Sequence, residues 1–201
     1  MRRAQILSAV AAATVLLAAC ATSPSSGPMS FFVTSTNPGN GGNLGGLAGA
    51  DAQCQKLAAA VGAGGKTWRA YLSVPGAFPS PTNSQGVASI NARDRIGQGP
   101  WHNAKGQLIA SDLAHLHNGN LISKEMALDE KGNVIKGLGD TPNEHDILTG
   151  SRADGTAFAP QTDTTCKAWT SSTDGSAIVG HHDRIGPLPE NWAKSWNFSH
   201  Q

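Results

Sequence analysis

His181-His182-Asp183 is the densest run of metal-ligand side chains in this sequence. Imidazole and carboxylate groups suit zinc and other transition metals. Adjacent residues of a strand face opposite sides, so the three do not by themselves aim at one ion. Further ligands must come from elsewhere, and His145, Asp146, His115 and His117 are the available residues. The resulting metal candidates are His145, Asp146, His181 and Asp183. His115 and His117 are spaced to share one face of a strand. Each of these histidines also reads as an ordinary solvated loop residue. His145-Asp146 has the residue types of an acid/base pair, and Ser151 or Ser171 those of a nucleophile. The chain holds no Gly-x-Ser-x-Gly elbow, no His-Glu-x-x-His and no phosphate-binding Gly-x-x-x-x-Gly-Lys-Ser/Thr. The expectation is therefore a binding protein that is not an enzyme and needs no cofactor, with a zinc-dependent enzyme or metal-binding protein as the competing reading.

The elements that must carry these residues are short. Residues 31–35 read as a first strand, and 37–46, rich in Gly and Asn, as a loop. Residues 51–61 read as a helix, with Asp51 in its first turn and Cys54, Leu57, Ala58 and Val61 at helical spacing. Residues 68–74 alternate as a strand with one wet face. Residues 126–128 and 134–135 flank Asp129-Glu130-Lys131-Gly132-Asn133, which suits a hairpin or an exposed loop. Residues 177–180 form a late short strand. Long irregular segments join these pieces, and an α+β domain follows. The tryptophans at 101, 169, 192 and 196 are expected to order the loops by packing. Asp94-Arg95-Ile96-Gly97 with Trp101 recurs as Asp183-Arg184-Ile185-Gly186 with Trp192, but the spacing to the tryptophan differs, which argues against a duplicated unit.

The first twenty residues belong to a different physics. They include 15 apolar residues, 14 of them behind Arg2 and Arg3. That is a charged n-region and an apolar h-region, the layout of a secretory signal. Leu17-Ala18-Ala19-Cys20 resembles the bacterial lipobox, which implies acylation of Cys20 and cleavage just before it. Residues 1–19 are then the lipoprotein signal, 20–30 a lipidated cysteine and flexible tether, and 31–201 the domain. Ala21 rather than Asp after the cysteine points to the outer membrane. Without the first twenty residues the chain has 13 basic and 14 acidic side chains and no Lys/Arg run, which excludes a nucleic-acid surface.

Several landmarks share one likeness. Ala52-Gln53-Cys54, Ala60-Val61-Gly62 and Thr67-Trp68-Arg69-Ala70-Tyr71-Leu72-Ser73 resemble the opening of the endostatin domain. Gly150-Ser151, Gly155 and Cys166-Lys167-Ala168-Trp169 resemble that family's later Gly-Ser…Gly…Cys-x-x-Trp block. The resemblance implies a C-type-lectin-like fold, with two helices and small antiparallel sheets under long loops. It also implies two nested disulfides. Cys54 and Cys166 match one partner of each; the second partners and the closing strand would lie past Gln201, so a truncated and marginally stable chain is expected. A direct Cys54–Cys166 bridge is the other possibility. Thr141-Pro142-Asn143-Glu144 and Trp196-Asn197-Phe198 resemble part of the calcium site of sugar-binding C-type lectins, which needs several hard oxygen ligands. The ligand-binding candidates are accordingly Asn143, Glu144, Trp169, Trp196 and Asn197, with calcium as a second possible ion. The implied function is a lipid-anchored envelope module that presents loops to a glycan or an extracellular protein. The anchor has its own test: wild-type protein should fractionate with membranes, and Cys20→Ala should release it. A Cys20→Ala chain that stays in the membrane fraction would overturn the lipoprotein reading.

Overall fold

The computed structural model describes residues 27–201 apart from 40, 161, 187 and 189. The export signal, Cys20 and the tether up to residue 26 lie outside the described residues. The rest of the expected tether is not free. Gly27 donates its amide to the Gly106 carbonyl at 3.1 Å, and Ser30 to that of His102 at 2.9 Å. The domain therefore begins a few residues before position 31.

The fold is α+β, with three α-helices and two small antiparallel sheets among the described residues. In chain order the elements are α1 (Gly46–Ala60), β1 (Trp101–His102), β2 (Leu108–Ala110), α2 (Leu113–His117), β3 (Asp146–Leu148), α3 (Cys166–Trp169) and β4 (Val179–His181). β1 pairs with β2, and β3 with β4. The expected strand at 31–35 is extended but makes no regular ladder; it is tied by single amides, Phe31 to His102 and Val33 to Leu128, each at 2.9 Å. Leu128 bridges Val134 antiparallel, so the 126–135 segment is a hairpin. The Asp129 carboxylate closes its turn by accepting the Lys131 and Asn133 amides at 2.8 Å.

Helix α1 starts five residues earlier than its sequence pattern suggests, after left-handed Gly45 (φ 75°). Asp51 is consequently inside the helix and not at its start. It is buried and serves as a tertiary anchor. Its carboxylate accepts the Ala70 amide at 2.9 Å, one Arg69 nitrogen at 2.8 Å and Arg95 at 2.8 Å on both oxygens. Burial raises the pKa of this carboxyl, but the Ala70 amide and the two guanidinium groups outweigh burial and hold it below the usual Asp value. One residue thus joins α1, residues 69–70 and the turn before β1.

Two apolar clusters flank the anchor. One gathers Trp101, Ile109, Leu116, Ile122 and Trp196. The other gathers Ala50, Ala70, Leu72 and Trp169. Residues 68–74, expected as a strand, form no regular ladder, only a bridge from Val74 to Ile90; Trp68, Ala70 and Leu72 point inward, but Tyr71 on the other side packs on the core. Ser73 breaks the expected wet face: it is fully buried, 2.8 Å from the Ser151 hydroxyl, and accepts the Ala92 amide. α3 is a single left-handed turn, with φ of 46°, 53°, 57° and 66° from Cys166 to Trp169. Such backbone costs about 1–2 kcal/mol per residue. Tertiary bonds hold it: the Trp169 indole donates to the Ser73 carbonyl, and Leu44 donates to the Trp169 carbonyl, both at 2.9 Å.

Removing one partner of a buried ion pair strands the other charge, at a cost of about 3–5 kcal/mol. Asp51→Ala should lower the unfolding free energy in urea by that amount. Arg69→Ala should cost less than about 1 kcal/mol, because half of its side chain is in water. The Asp51 contribution is present above the ordinary carboxyl pKa, about 4, and disappears as pH falls through that value and the lowered folded one. Urea midpoints measured from pH 7 to pH 3 should fall more steeply for wild type than for Asp51→Ala.

Candidate metal centre

The β3–β4 ladder sets Asp146 opposite His181, Ile147 opposite Gly180 and Leu148 opposite Val179. Directly opposed residues of an antiparallel pair project from the same face. Asp146 and His181 therefore meet, although 35 positions separate them. The pairing continues one step further, with the His182 amide bonded to the His145 carbonyl at 3.0 Å. The His145 ring stacks on the His181 ring at 4.0 Å between centroids, 14° from parallel. Among the described residues, His145, Asp146 and His181 form the one group of three whose ligand atoms all lie within 4.8 Å of one another.

The nitrogens are arranged for ligation. His181 Nδ1 lies 2.8 Å from the Ala193 carbonyl, so Nδ1 carries the proton and donates it there. That leaves the lone pair on Nε2. This Nε2 is buried and has no hydrogen-bond partner, yet it lies 3.3 Å from Asp146 Oδ1. His145 differs: its Nε2 lies 3.4 Å from the same oxygen, but its buried Nδ1 has no hydrogen-bond partner, with Asp183 Oδ1 3.5 Å away. Burial lowers the His181 pKa, a shift that favours neutral imidazole. Asp146 is about half exposed, which leaves the centre open on one side.

Asp183 was a candidate ligand, and the structure gives it another place. Its side chain is fully buried behind His145. Its oxygens accept the Leu138 amide at 2.7 Å and the Ile185 amide at 3.0 Å. A carboxylate behind a ligating histidine orients the ring and strengthens its basicity. His182 points away, with Nε2 3.2 Å from the Lys136 carbonyl. His115 and His117 lie on helix α2 and not on a strand, so they do not share a strand face. His117 is bonded to the Leu113 carbonyl and the Tyr71 hydroxyl, both at 2.8 Å. Sequence reasoning missed His200, whose Nε2 also lies 3.3 Å from Asp146 Oδ1. A single histidine 19 positions beyond His181 carries no spacing signal.

Of the lectin-type candidates, Glu144 and Trp196 line one cavity and the others do not join them there. Asn143 and Glu144 are exposed. Trp169 and Trp196 are buried, and their indole N–H groups donate to the carbonyls of Ser73 and Leu116. Trp169, fully buried, offers no face to a sugar. Asn197 is buried and donates to the Tyr71 hydroxyl and the Arg152 and Ala153 carbonyls. These three are packing residues, a correction to their expected ligand role. Cys54 and Cys166 are free thiols, so no direct bridge joins them. Burial, with the Asp51 charge beside it, pushes the Cys54 thiol up to about 11, which makes it unreactive near neutral pH. No protein-family model matches the chain, and no curated protein matches its sequence.

Gly180 controls how closely residues 195–200 approach β4. A Cβ there would lie 1.9 Å from the Trp196 carbonyl oxygen, a backbone atom that cannot rotate away. Gly180→Ala should therefore lower the unfolding free energy by about 1–3 kcal/mol in urea titration. An unchanged midpoint would show that the segment does not pack this tightly.

Proposed function

We propose that this domain binds a divalent transition-metal ion through His145, Asp146 and His181, and that its role is binding rather than catalysis. The observation that carries the reading is the orphaned, buried Nε2 of His181, whose other nitrogen is committed to the Ala193 carbonyl. A buried acceptor without a partner costs about 1–3 kcal/mol unless a ligand satisfies it. Two imidazoles and one carboxylate suit zinc; calcium takes oxygen ligands, and this set is nitrogen-rich. The ion would be held by His145 Nε2, His181 Nε2 and Asp146, with the Asp183 carboxylate 3.5 Å behind the His145 ring.

The non-catalytic part of the reading is supported by the two candidate nucleophilic serines. Ser151 is buried and donates to the Thr149 carbonyl at 3.0 Å. The Ser171 hydroxyl accepts the Asp174 amide at 2.8 Å. We also propose that the scaffold is C-type-lectin-like and envelope-anchored, with a glycan or extracellular protein as partner. The scaffold proposal draws support from the α+β build, from Cys54 on α1 and from the packed Cys166-x-x-Trp169 turn. The anchor rests on residues 17–20 of the sequence.

The test is zinc titration of the full chain after chelator stripping, followed by calorimetry. Wild type should bind one equivalent. His145→Ala and His181→Ala should each abolish stoichiometric binding. Asp183→Ala should weaken it roughly 10- to 100-fold while keeping the stoichiometry. Failure of wild type to take up zinc, cobalt or nickel would end this reading.

A further inference from the structure

We infer that His200 is the fourth ligand of this centre, and that the ion locks residues 195–200 onto the β3–β4 sheet. The inference rests on the proposed metal site and goes beyond its three residues. A tetrahedral zinc with bonds near 2.0–2.1 Å has ligand atoms about 3.3–3.4 Å apart along each edge. Asp146 Oδ1 lies 3.4 Å from His145 Nε2, 3.3 Å from His181 Nε2 and 3.3 Å from His200 Nε2. The three edges that meet at the carboxylate oxygen thus already have tetrahedral lengths. The His200 ring stands edge-on to the His181 ring, with centroids 5.2 Å apart and planes at 61°. It therefore neighbours the stacked His145–His181 pair. His200 stands outside the compact group of three ligand atoms, so ligation requires this half-exposed ring to swing inward to the remaining vertex.

The backbone delivers His200 from outside the sheet. The Val179 amide donates to the His200 carbonyl at 2.9 Å, and the Ser199 amide to the Val179 carbonyl at 2.7 Å. The His181 amide donates to the Ser195 carbonyl at 2.9 Å. Segment 195–200 is therefore a third, irregular strand-like piece against β4, pinned by backbone bonds and by the Trp196 and Asn197 side chains. Three protein ligands and a water make an open site, whereas four protein ligands make a closed, structural one. With His200 bound the centre is closed. Metal binding then becomes stability of the segment, because the unfolded chain does not hold the ligands together. The same segment carries Trp196 into the first apolar cluster and Asn197 to Tyr71, so the ion would steady the core as well.

The test uses the full chain loaded with cobalt(II), whose visible absorption is strong in four-coordinate tetrahedral sites and weak in higher coordination. Wild type should show the strong spectrum. His200→Ala should keep one equivalent of metal, lose that intensity and bind zinc at least about tenfold more weakly. Hydrogen exchange of the Ser195, Trp196 and Ser199 amides should slow on zinc addition in wild type and not in His200→Ala. The metal-free variant should melt like the metal-free wild type, because the His200 side chain is half exposed. If His200→Ala matches wild type in spectrum, affinity and zinc-induced protection, His200 is not a ligand while the three-residue site stands. If wild type itself binds no metal, both readings fall.

Discussion

The register of one three-residue strand pair governs this domain's site. Asp146 faces His181 only because Leu148 pairs with Val179 and Ile147 with Gly180. A slip of one residue would turn every side chain of β3 to the opposite face and dissolve the centre. The register is held from both ends. Ile147 and Leu148 pack against different apolar clusters, and the His182–His145 backbone bond extends the ladder beyond the strands. Gly180 then admits the Trp196 backbone at a distance that no side chain would allow. A sheet this small is marginal alone, so its pairing depends on the packing around it.

That packing is organised by buried polar groups as much as by apolar ones. Asp51 binds two arginines and an amide and joins α1 to the segments that flank the first cluster. Asn197 ties the last segment to Tyr71 and to the carbonyls of Arg152 and Ala153. In a domain rich in irregular backbone, such side chains supply the partners that regular ladders supply elsewhere. The left-handed turn at Cys166–Trp169 belongs to the same economy, because its strain persists where the Trp169 indole is both buried and bonded.

The elements with local signatures were legible. α1, the alternation over 68–72 and the strand pieces near 128, 134 and 179 follow from periodicity and turn residues. Their limits were less so, since Asp51 looks like a helix-start residue and is an interior anchor. In the site, residue chemistry alone named His145, Asp146 and His181. It also named Asp183, because a carboxylate that ligates and one that orients a ligand are the same side chain. Trp169, Trp196 and Asn197 suited a binding face, but a residue type that packs and one that recognises a ligand are identical until burial is known.

The sequence by itself determined the inventory: an α+β chain with little charge, short elements, and a few histidines and carboxylates with the right chemistry for a transition metal. It did so because composition and period-two or helical spacing are local properties. Which of those groups meet was decided only by tertiary structure. His145, His181 and His200 converge on one oxygen of Asp146 through strand pairing and the close approach allowed at Gly180, and contacts between residues so far apart in the chain leave no periodic trace in it.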